Sequence, residues 1–262
     1  FNYSTLPQFT IFAGNHKKMN IVLIGYGRMG KEIEALALER NHRVVGKIDI
    51  GNPEMLGKLQ SLSPDVAIEF TTPSTAFGNV IHCLEQGVPV VSGTTGWADR
   101  LEEARELCMK TGGAFFHASN FSIGVNILFH LNRELARIME DFHSYNPSVD
   151  ETHHTRKLDA PSGTALVLAG DILQALQRKT GWSLDKTGSD SELLVRAFRE
   201  DDVPGIHTVR YESANDSLEL VHSAKSRKGF AEGAVMAAEF LAGKKGVFGM
   251  NDLLKLEKSG KT

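Results

Sequence analysis

The sequence predicts an α/β chain: a parallel sheet with helices on both faces, followed by a second α+β domain with a mixed or antiparallel sheet. Three observations predict it. Short apolar, β-rich runs alternate with amphipathic helical stretches from residue 20 to about residue 117, the pattern of right-handed βαβ crossovers. That alternation breaks after Asn120. Farther on, Ile206 to Glu212 and Leu218 to Ser223 flank the polar stretch Ser213 to Asp216, which signals a hairpin.

Taken in order, Asn20 to Ile24 is a short apolar run that stops at Gly25, as a buried parallel strand does when it enters a tight turn. Ile33, Leu36, Ala37 and Leu38 then recur at helical spacing between charged residues, and Asn41 suits the end of that helix. Strands follow at Arg43 to Ile48, Val66 to Phe70, Val88 to Val91 and Ala114 to His117, with helices at Ser74 to Gln86 and Ala98 to Lys110. Beyond Asn120 come a long amphipathic helix near Val125 to Met139 and a strand through Val149 to His153. Next is a helix with Ala165, Leu168, Ala169, Ile172, Leu173 and Leu176 on one face, introduced by Ser162 or Thr164, with Gly181 just past its end. The last helix runs from about Phe230 to Leu241 and is expected to rejoin the first domain.

Composition removes several classes of function. The 29 Lys and Arg residues against 32 Asp and Glu give a net charge of −3, which offers a polyanion no broad attractive field, so nucleic acid is not expected as a partner. The 2 cysteines, Cys83 and Cys108, lie in helical stretches and build no disulfide framework, which fits a reducing cytoplasm. Thr111 to Asn132 carries no Asp, Glu, Lys or Arg, yet His117, Ser119, Asn120, Ser122, Asn126 and His130 interrupt it. It reads as core strand, polar loop and helix start, with no membrane span. Residues 1–18 lack a secretory pattern and read as an N-terminal extension outside the fold, non-native or disordered, with Met19 as the start of the folded chain.

The strongest local signal is Gly25, Gly27 and Gly30 in GYGRMG, set between a buried strand and a helix as a Rossmann-type dinucleotide site requires. Asp49 ends the next strand about twenty residues beyond, where an acid accepts hydrogen bonds from the adenosine ribose. A carboxylate there repels a 2′-phosphate and favours NADH over NADPH, although Arg28 and Lys47 stand near enough in sequence to compensate. FTTP at 70–73 and SGTTG at 92–96 sit at the carboxyl ends of strands, where doubly wound sheets bind ligands. ETHHTRKLDAPSGTA at 151–165 gathers two histidines, Lys157, Ser162, Gly163 and Thr164 around a helix start. A histidine can exchange a proton near neutral pH, while Lys157 and the amides of Gly163 and Thr164 suit carboxylates. His153 and His154 would point to opposite faces of a continuing strand and make a poor joint metal site, so no metal is expected. Ser162 lies in PSGT, without the G-x-S-x-G elbow of a hydrolase.

GYGRMG after a first strand, FTTP, GTTG, ASNFSIGVN at 118–126 and above all HHTRKLDAPSGTA at 153–165 resemble the dihydrodipicolinate reductase family, from Met19 to near the C-terminus. The resemblance implies a 4-hydroxy-tetrahydrodipicolinate reductase. Such an enzyme carries hydride from NAD(P)H to C4 of a cyclic unsaturated dicarboxylate, in the diaminopimelate route to lysine. It implies His153 as general acid/base, Lys157 as a proton donor that also engages substrate, His154 as a substrate contact, and Gly163 with Thr164 as the binders of a substrate carboxylate. On the cofactor side it implies Gly25, Tyr26, Gly27, Arg28, Met29, Gly30, Asp49, Phe70, Thr71, Gly93, Thr94, Thr95, Ala118, Ser119, Asn120 and Phe121. It also implies a homotetramer joined through sheets of the C-terminal domains. The expected organisation is a dinucleotide-binding domain at 19–122 with 230–262, and a substrate-binding and oligomerisation domain at 123–229. Two other readings stay open on the residues alone: a non-catalytic dinucleotide-sensing module, and another NAD(P)-dependent reductase of the same architecture. A semialdehyde dehydrogenase would need a catalytic cysteine at a strand end, and neither cysteine is so placed.

Overall fold

The computed structural model describes residues 17–186 and 189–256; most of the N-terminal extension expected at 1–18 lies outside the described residues. Two compact units emerge. Among the described residues the first runs to Phe116 and takes in Val235–Val247, and the second comprises His117–Ala234 and the chain from Phe248 onward.

In chain order the elements are β1 (Asn20–Ile24), α1 (Arg28–Glu39), β2 (Arg43–Ile48), β3 (Val66–Glu69), α2 (Pro73–Glu85), β4 (Val90–Ser92), α3 (Leu101–Thr111) and β5 (Ala114–His117). Then come α4 (Ile123–Met139), β6 (Asn146–His153), α5 (Gly163–Ala175), β7 (Gly181–Leu184), β8 (Glu192–Arg199), β9 (Ile206–Glu212) and β10 (Ser217–Ser223). Among the described residues α6 (Lys228–Leu241), β11 (Gly246–Phe248) and α7 (Met250–Leu254) follow.

The first sheet has the order β11-β5-β4-β3-β1-β2, and β1 pairs in parallel with both β2 and β3. The chain therefore turns outward in opposite directions on either side of β1, which creates a switch point between β1 and β3. Ile21, Val22, Leu23 and Ile24 of β1 and all four residues of β3 are buried, because helices cover both faces. Burial of each such Ile or Leu contributes about 1.5–3 kcal/mol. The crossover from β2 to β3 is a 3-10 stretch, Pro53–Leu62, broken at Lys58. Pro53 and Gly57 explain why no periodic helix announces it. Thr72 and Thr75 form a capping box that starts α2, with Pro73 in its first turn.

The second sheet is mixed, in the order β10-β9-β6-β8-β7: β6 is parallel to β8 and antiparallel to β9. Its buried face, with Val149, Leu193, Val195, Val209 and Tyr211, packs with Leu128, Phe129, Leu168 and Ile172 of α4 and α5. The expected hairpin is present as β9 and β10, yet β7 and β8 were not anticipated. Gly181 opens β7 and does not close a helix, because α5 stops at Ala175 and Leu176 is already extended. Nor is the helix near Phe230 the last: α6 begins at Lys228, and β11 and α7 follow it. No helix among the described residues is long and apolar enough to cross a membrane; the uncharged stretch is β5, a loop and the start of α4.

Candidate active site

Five of the expected cofactor segments follow the carboxyl ends of five strands of the first sheet. Gly25–Gly30 follows β1, Asp49 follows β2, Phe70 and Thr71 follow β3, Gly93–Thr95 follows β4, and Ala118–Phe121 follows β5. At the switch point Gly25 has φ +92°, and a Cβ there would lie 2.0 Å from the Phe70 carbonyl oxygen, so only glycine lets these two chain segments approach. Gly27 is different. A Cβ on it would meet nothing within 4 Å, so the protein itself makes no demand for glycine there, and the room is left for a ligand. Gly27 is also the N-cap of α1, which has no side-chain cap and no acidic residue in its first turn. Uncapped first-turn amides and empty space beside them fit the pyrophosphate of a dinucleotide.

A cleft of about 640 Å³ opens beside this turn, lined by Gly25, Gly27, Asp49, Ile50, Phe70 and Thr71 among others. A second, of about 390 Å³, is lined by Arg28, Met29, Phe70, Thr71, Gly93 and Thr95 among others. Sharing Gly27, Phe70 and Thr71, the two flank the glycine turn as the two halves of a dinucleotide would require. Asp49 is exposed, and its carboxylate accepts the Ile50 N–H at 2.9 Å. Lys47 is committed elsewhere. Its ammonium lies 2.6 Å from Glu34 and donates to the Tyr26 hydroxyl at 3.1 Å, and Tyr26 in turn donates to Glu34. The bond from Lys47, followed by that from Tyr26, holds the Glu34 carboxyl below its usual range.

Glu69, at the end of β3, was missed by the sequence reading. It is completely buried, and it accepts hydrogen bonds from Ser92 at 2.6 Å, Thr94 at 2.8 Å and the Thr71 N–H at 3.0 Å, as well as from the Thr71 hydroxyl. One carboxylate thus ties the loop after β3 to the loop after β4. A single acid closing a fully buried apolar strand was the available signal.

In the second unit His153 is the last residue of β6, and His154 lies beyond the strand end. His153 Nδ1 is 2.7 Å from Glu151, two residues earlier on the same face of β6. Glu151 also accepts the Ser162 N–H at 2.9 Å and the Arg199 guanidinium at 3.1 Å. Register places Glu151 opposite His207 of β9, and the His153 and His207 rings meet edge to face at 5.0 Å between centroids. Ser162 caps α5 by accepting the Ala165 N–H, so the cap does not use the Gly163 and Thr164 amides of the first turn. A Cβ on Gly163 would meet nothing within 4 Å. Lys157 donates to both oxygens of Asp159 at 2.8 Å. His153, Lys157, Gly163 and Thr164 therefore belong to one unit. The signals for Glu151 were the i, i+2 spacing and a carboxylate with no other purpose in the string; His207 had none before the β6–β9 register was known.

Strand ends arranged as a dinucleotide site requires, and a second unit with a histidine beside a carboxylate near an open helix start, fit a two-unit, nicotinamide-dependent oxidoreductase. The family models "Dihydrodipicolinate reductase, N-terminus" and "Dihydrodipicolinate reductase, C-terminus" match residues 19–121 and 124–254. The chain belongs to the dihydrodipicolinate reductase family. The 4-hydroxy-tetrahydrodipicolinate reductase of Christiangramia forsetii is 50% identical over 238 residues, covering 90% of this chain and 98% of that protein. That of Methanoregula boonei is 35% identical over 252 residues, covering 89% of this chain and 96% of that protein. The dipicolinate-bound dihydrodipicolinate reductase from Paenisporosarcina sp. TG-14 shares the fold, with a TM-score of 0.71 at 20% identity over 90% of this chain and 99% of that one.

Proposed function

We propose that this chain is a cytoplasmic 4-hydroxy-tetrahydrodipicolinate reductase, serving the diaminopimelate route to lysine and reducing a cyclic unsaturated dicarboxylate at C4. The observation that carries the reading is the grouping of His153, Lys157 and the open first turn of α5 on one unit, in a chain whose other unit gathers its strand-end loops around a glycine turn. NAD(P)H, when bound, supplies the hydride. Residues 19–122 with 230–262 act as the dinucleotide-binding domain, and 123–229 as the substrate-binding and oligomerisation domain. The Gly163 and Thr164 amides hold one substrate carboxylate, and Lys157 exchanges Asp159 for the other. His154 makes a further substrate contact. As electron density reaches the ring carbon beside C4, His153 delivers a proton to it, a contribution of roughly 10²- to 10⁴-fold.

On the cofactor side, Tyr26, Arg28, Met29 and Gly30 frame the pyrophosphate, and Ala118, Ser119, Asn120 and Phe121 complete the nicotinamide end. Preference falls to NADH: Asp49 repels a 2′-phosphate, and Lys47, the cation nearest it on β2, is neutralised by Glu34. Glu151, His153 and His207 bring potential ligand atoms within 4.8 Å of one another. We read them as the group that holds the His153 ring, without a metal, since Glu151 is already bonded to Ser162 and Arg199. A homotetramer is supported by the face of the second sheet turned away from α4 and α5. It presents Phe198 and Val221, which are 43% and 58% exposed, beside the ion pairs Asp150–Arg196 and Arg210–Glu219.

Two measurements check this reading. Turnover with enzymatically generated substrate is expected with both cofactors on one preparation, with the larger kcat/KM for NADH; folded protein that oxidises neither would overturn the assignment. Glu69→Gln is expected to raise the KM for NADH at least about threefold while leaving dipicolinate affinity unchanged, because one of the two oxygens that tie the loops after β3 and β4 becomes a donor facing the hydroxyls it used to accept from. Equal weakening of both ligands would assign Glu69 a general structural role.

A further inference from the structure

Glu151 is 1% exposed, at the centre of a five-stranded sheet, with an alanine opposite it on β8 and His207 opposite it on β9. Burial alone would push its carboxyl up, but the hydrogen bonds from His153 and Ser162 outweigh that and bring it down to about 2. It is therefore an anion throughout the working pH range, and its two oxygens have different duties. One accepts the Ser162 N–H and the Arg199 guanidinium, which fixes the start of α5 and the end of β8. The other lies against His153 Nδ1. With Nδ1 so engaged, Nε2 is the ring atom left to face a reactant, and Gly205 keeps it open: a Cβ at that position would sit 3.0 Å from Nε2. Around the cluster of Glu151, His153 and His207 stand Arg199 of β8, paired with Glu151, and His222 of β10 and Lys157 of the following loop, whose charges act on His207. Burial, and after it the neighbouring His153, lower His207 to about 4, so at neutral pH it contributes a packed, uncharged ring.

We propose that Glu151 is the positioning residue of this active site, holding the His153 ring by Nδ1 with Nε2 turned to the substrate and anchoring the carboxylate-binding start of α5 through its second oxygen. Proton donor and carboxylate cradle are thereby set from one buried group, so that the carbon to be protonated and the acid arrive in register. The inference rests on reading His153 as the acid.

The test compares Glu151→Gln, Glu151→Asp and His153→Ala with the parent, recording kcat, the KM for NADH and thermal unfolding. Glu151→Gln is expected to lower kcat by roughly 10²-fold or more with the KM for NADH within about twofold. Glu151→Asp keeps the charge and is expected to recover part of the kcat that Glu151→Gln loses. A Glu151→Gln enzyme with parental kcat beside a His153→Ala enzyme at least tenfold impaired would overturn the role of Glu151 alone. A fully active His153→Ala enzyme would overturn the reading beneath it. Should Glu151→Gln fail to fold, the parent answers by proton NMR. A far-downfield resonance from a hydrogen-bonded Nδ1–H, absent in His153→Ala, supports the proposal, and its absence from the parent contradicts it.

Discussion

His153→Ala and Lys157→Ala are each expected to lower kcat by roughly 10²- to 10⁴-fold while the Kd for NADH stays within about twofold of the parent. The His153 imidazole is held against Glu151 at the end of β6 with its side chain 11% exposed, so truncation removes the proposed proton donor and leaves little room for water to substitute in the same geometry. Lys157 differs in how its loss divides. Its ammonium pairs with Asp159 near the start of α5, and a substrate carboxylate taking over that pair loses both a charge and a fixed orientation in the alanine variant. The KM for substrate therefore rises with Lys157→Ala in addition to the fall in kcat, whereas for His153→Ala the fall in kcat dominates. Both residues belong to the unit that does not carry the glycine turn, which is why cofactor affinity is expected to persist. Isothermal titration with NADH beside steady-state kinetics checks the split. Equal loss of NADH binding in both variants would mean that the two sites have been misassigned.

Gly25→Ala and Gly27→Ala, two residues apart, are expected to fail in opposite ways. At Gly25 the added methyl meets the Phe70 carbonyl at 2.0 Å on a backbone with φ +92°, so the chain must both leave the left-handed region and separate β1 from the β3 loop. Left-handed strain of about 1–2 kcal/mol and overpacking of about 1–3 kcal/mol add to a cost that a domain of ordinary stability feels strongly. A large drop in Tm of the cofactor-free protein is the expected result. At Gly27 the methyl enters open space, so the Tm without cofactor is unchanged and the KM for NADH rises by about tenfold as the pyrophosphate loses its close approach. Thermal unfolding with and without NADH reads both effects at once. A destabilised Gly27→Ala protein with normal NADH affinity would remove Gly27 from the cofactor site.

Much of the first sheet was legible because its strands are short apolar runs cut off by glycine, aspartate or a polar loop: β1, β2 and β5 occupy the residues expected of them. The 3-10 crossover at Pro53–Leu62 was not, since Pro53 and Gly57 erase periodicity without naming what replaces it. In the second unit β7 has only four residues, and Leu193 and Val195 of β8 alternate too briefly among charges to announce a strand. The site shows the same division. Glycine, histidine and lysine positions followed from motif and spacing, but the groups that hold them did not. Glu69 joins two loops through hydroxyls brought to it by strand pairing, and Glu151 acquires His207 and Arg199 only through the β6–β9 and β6–β8 registers. A sequence states which side chains can do chemistry; which buried anion orients them is set by register between distant segments.

Isotope tracing tests the central claim, that the segment bearing His153 and Lys157 presents a diacid to the hydride donor. With NADH deuterated at both C4 positions of its nicotinamide ring, the purified protein is expected to place one deuterium at C4 of the product dicarboxylate, with the adjacent ring carbon taking its hydrogen from solvent. Deuterium at any other carbon, or consumption of NADH that leaves the dicarboxylate unlabelled, would contradict the account.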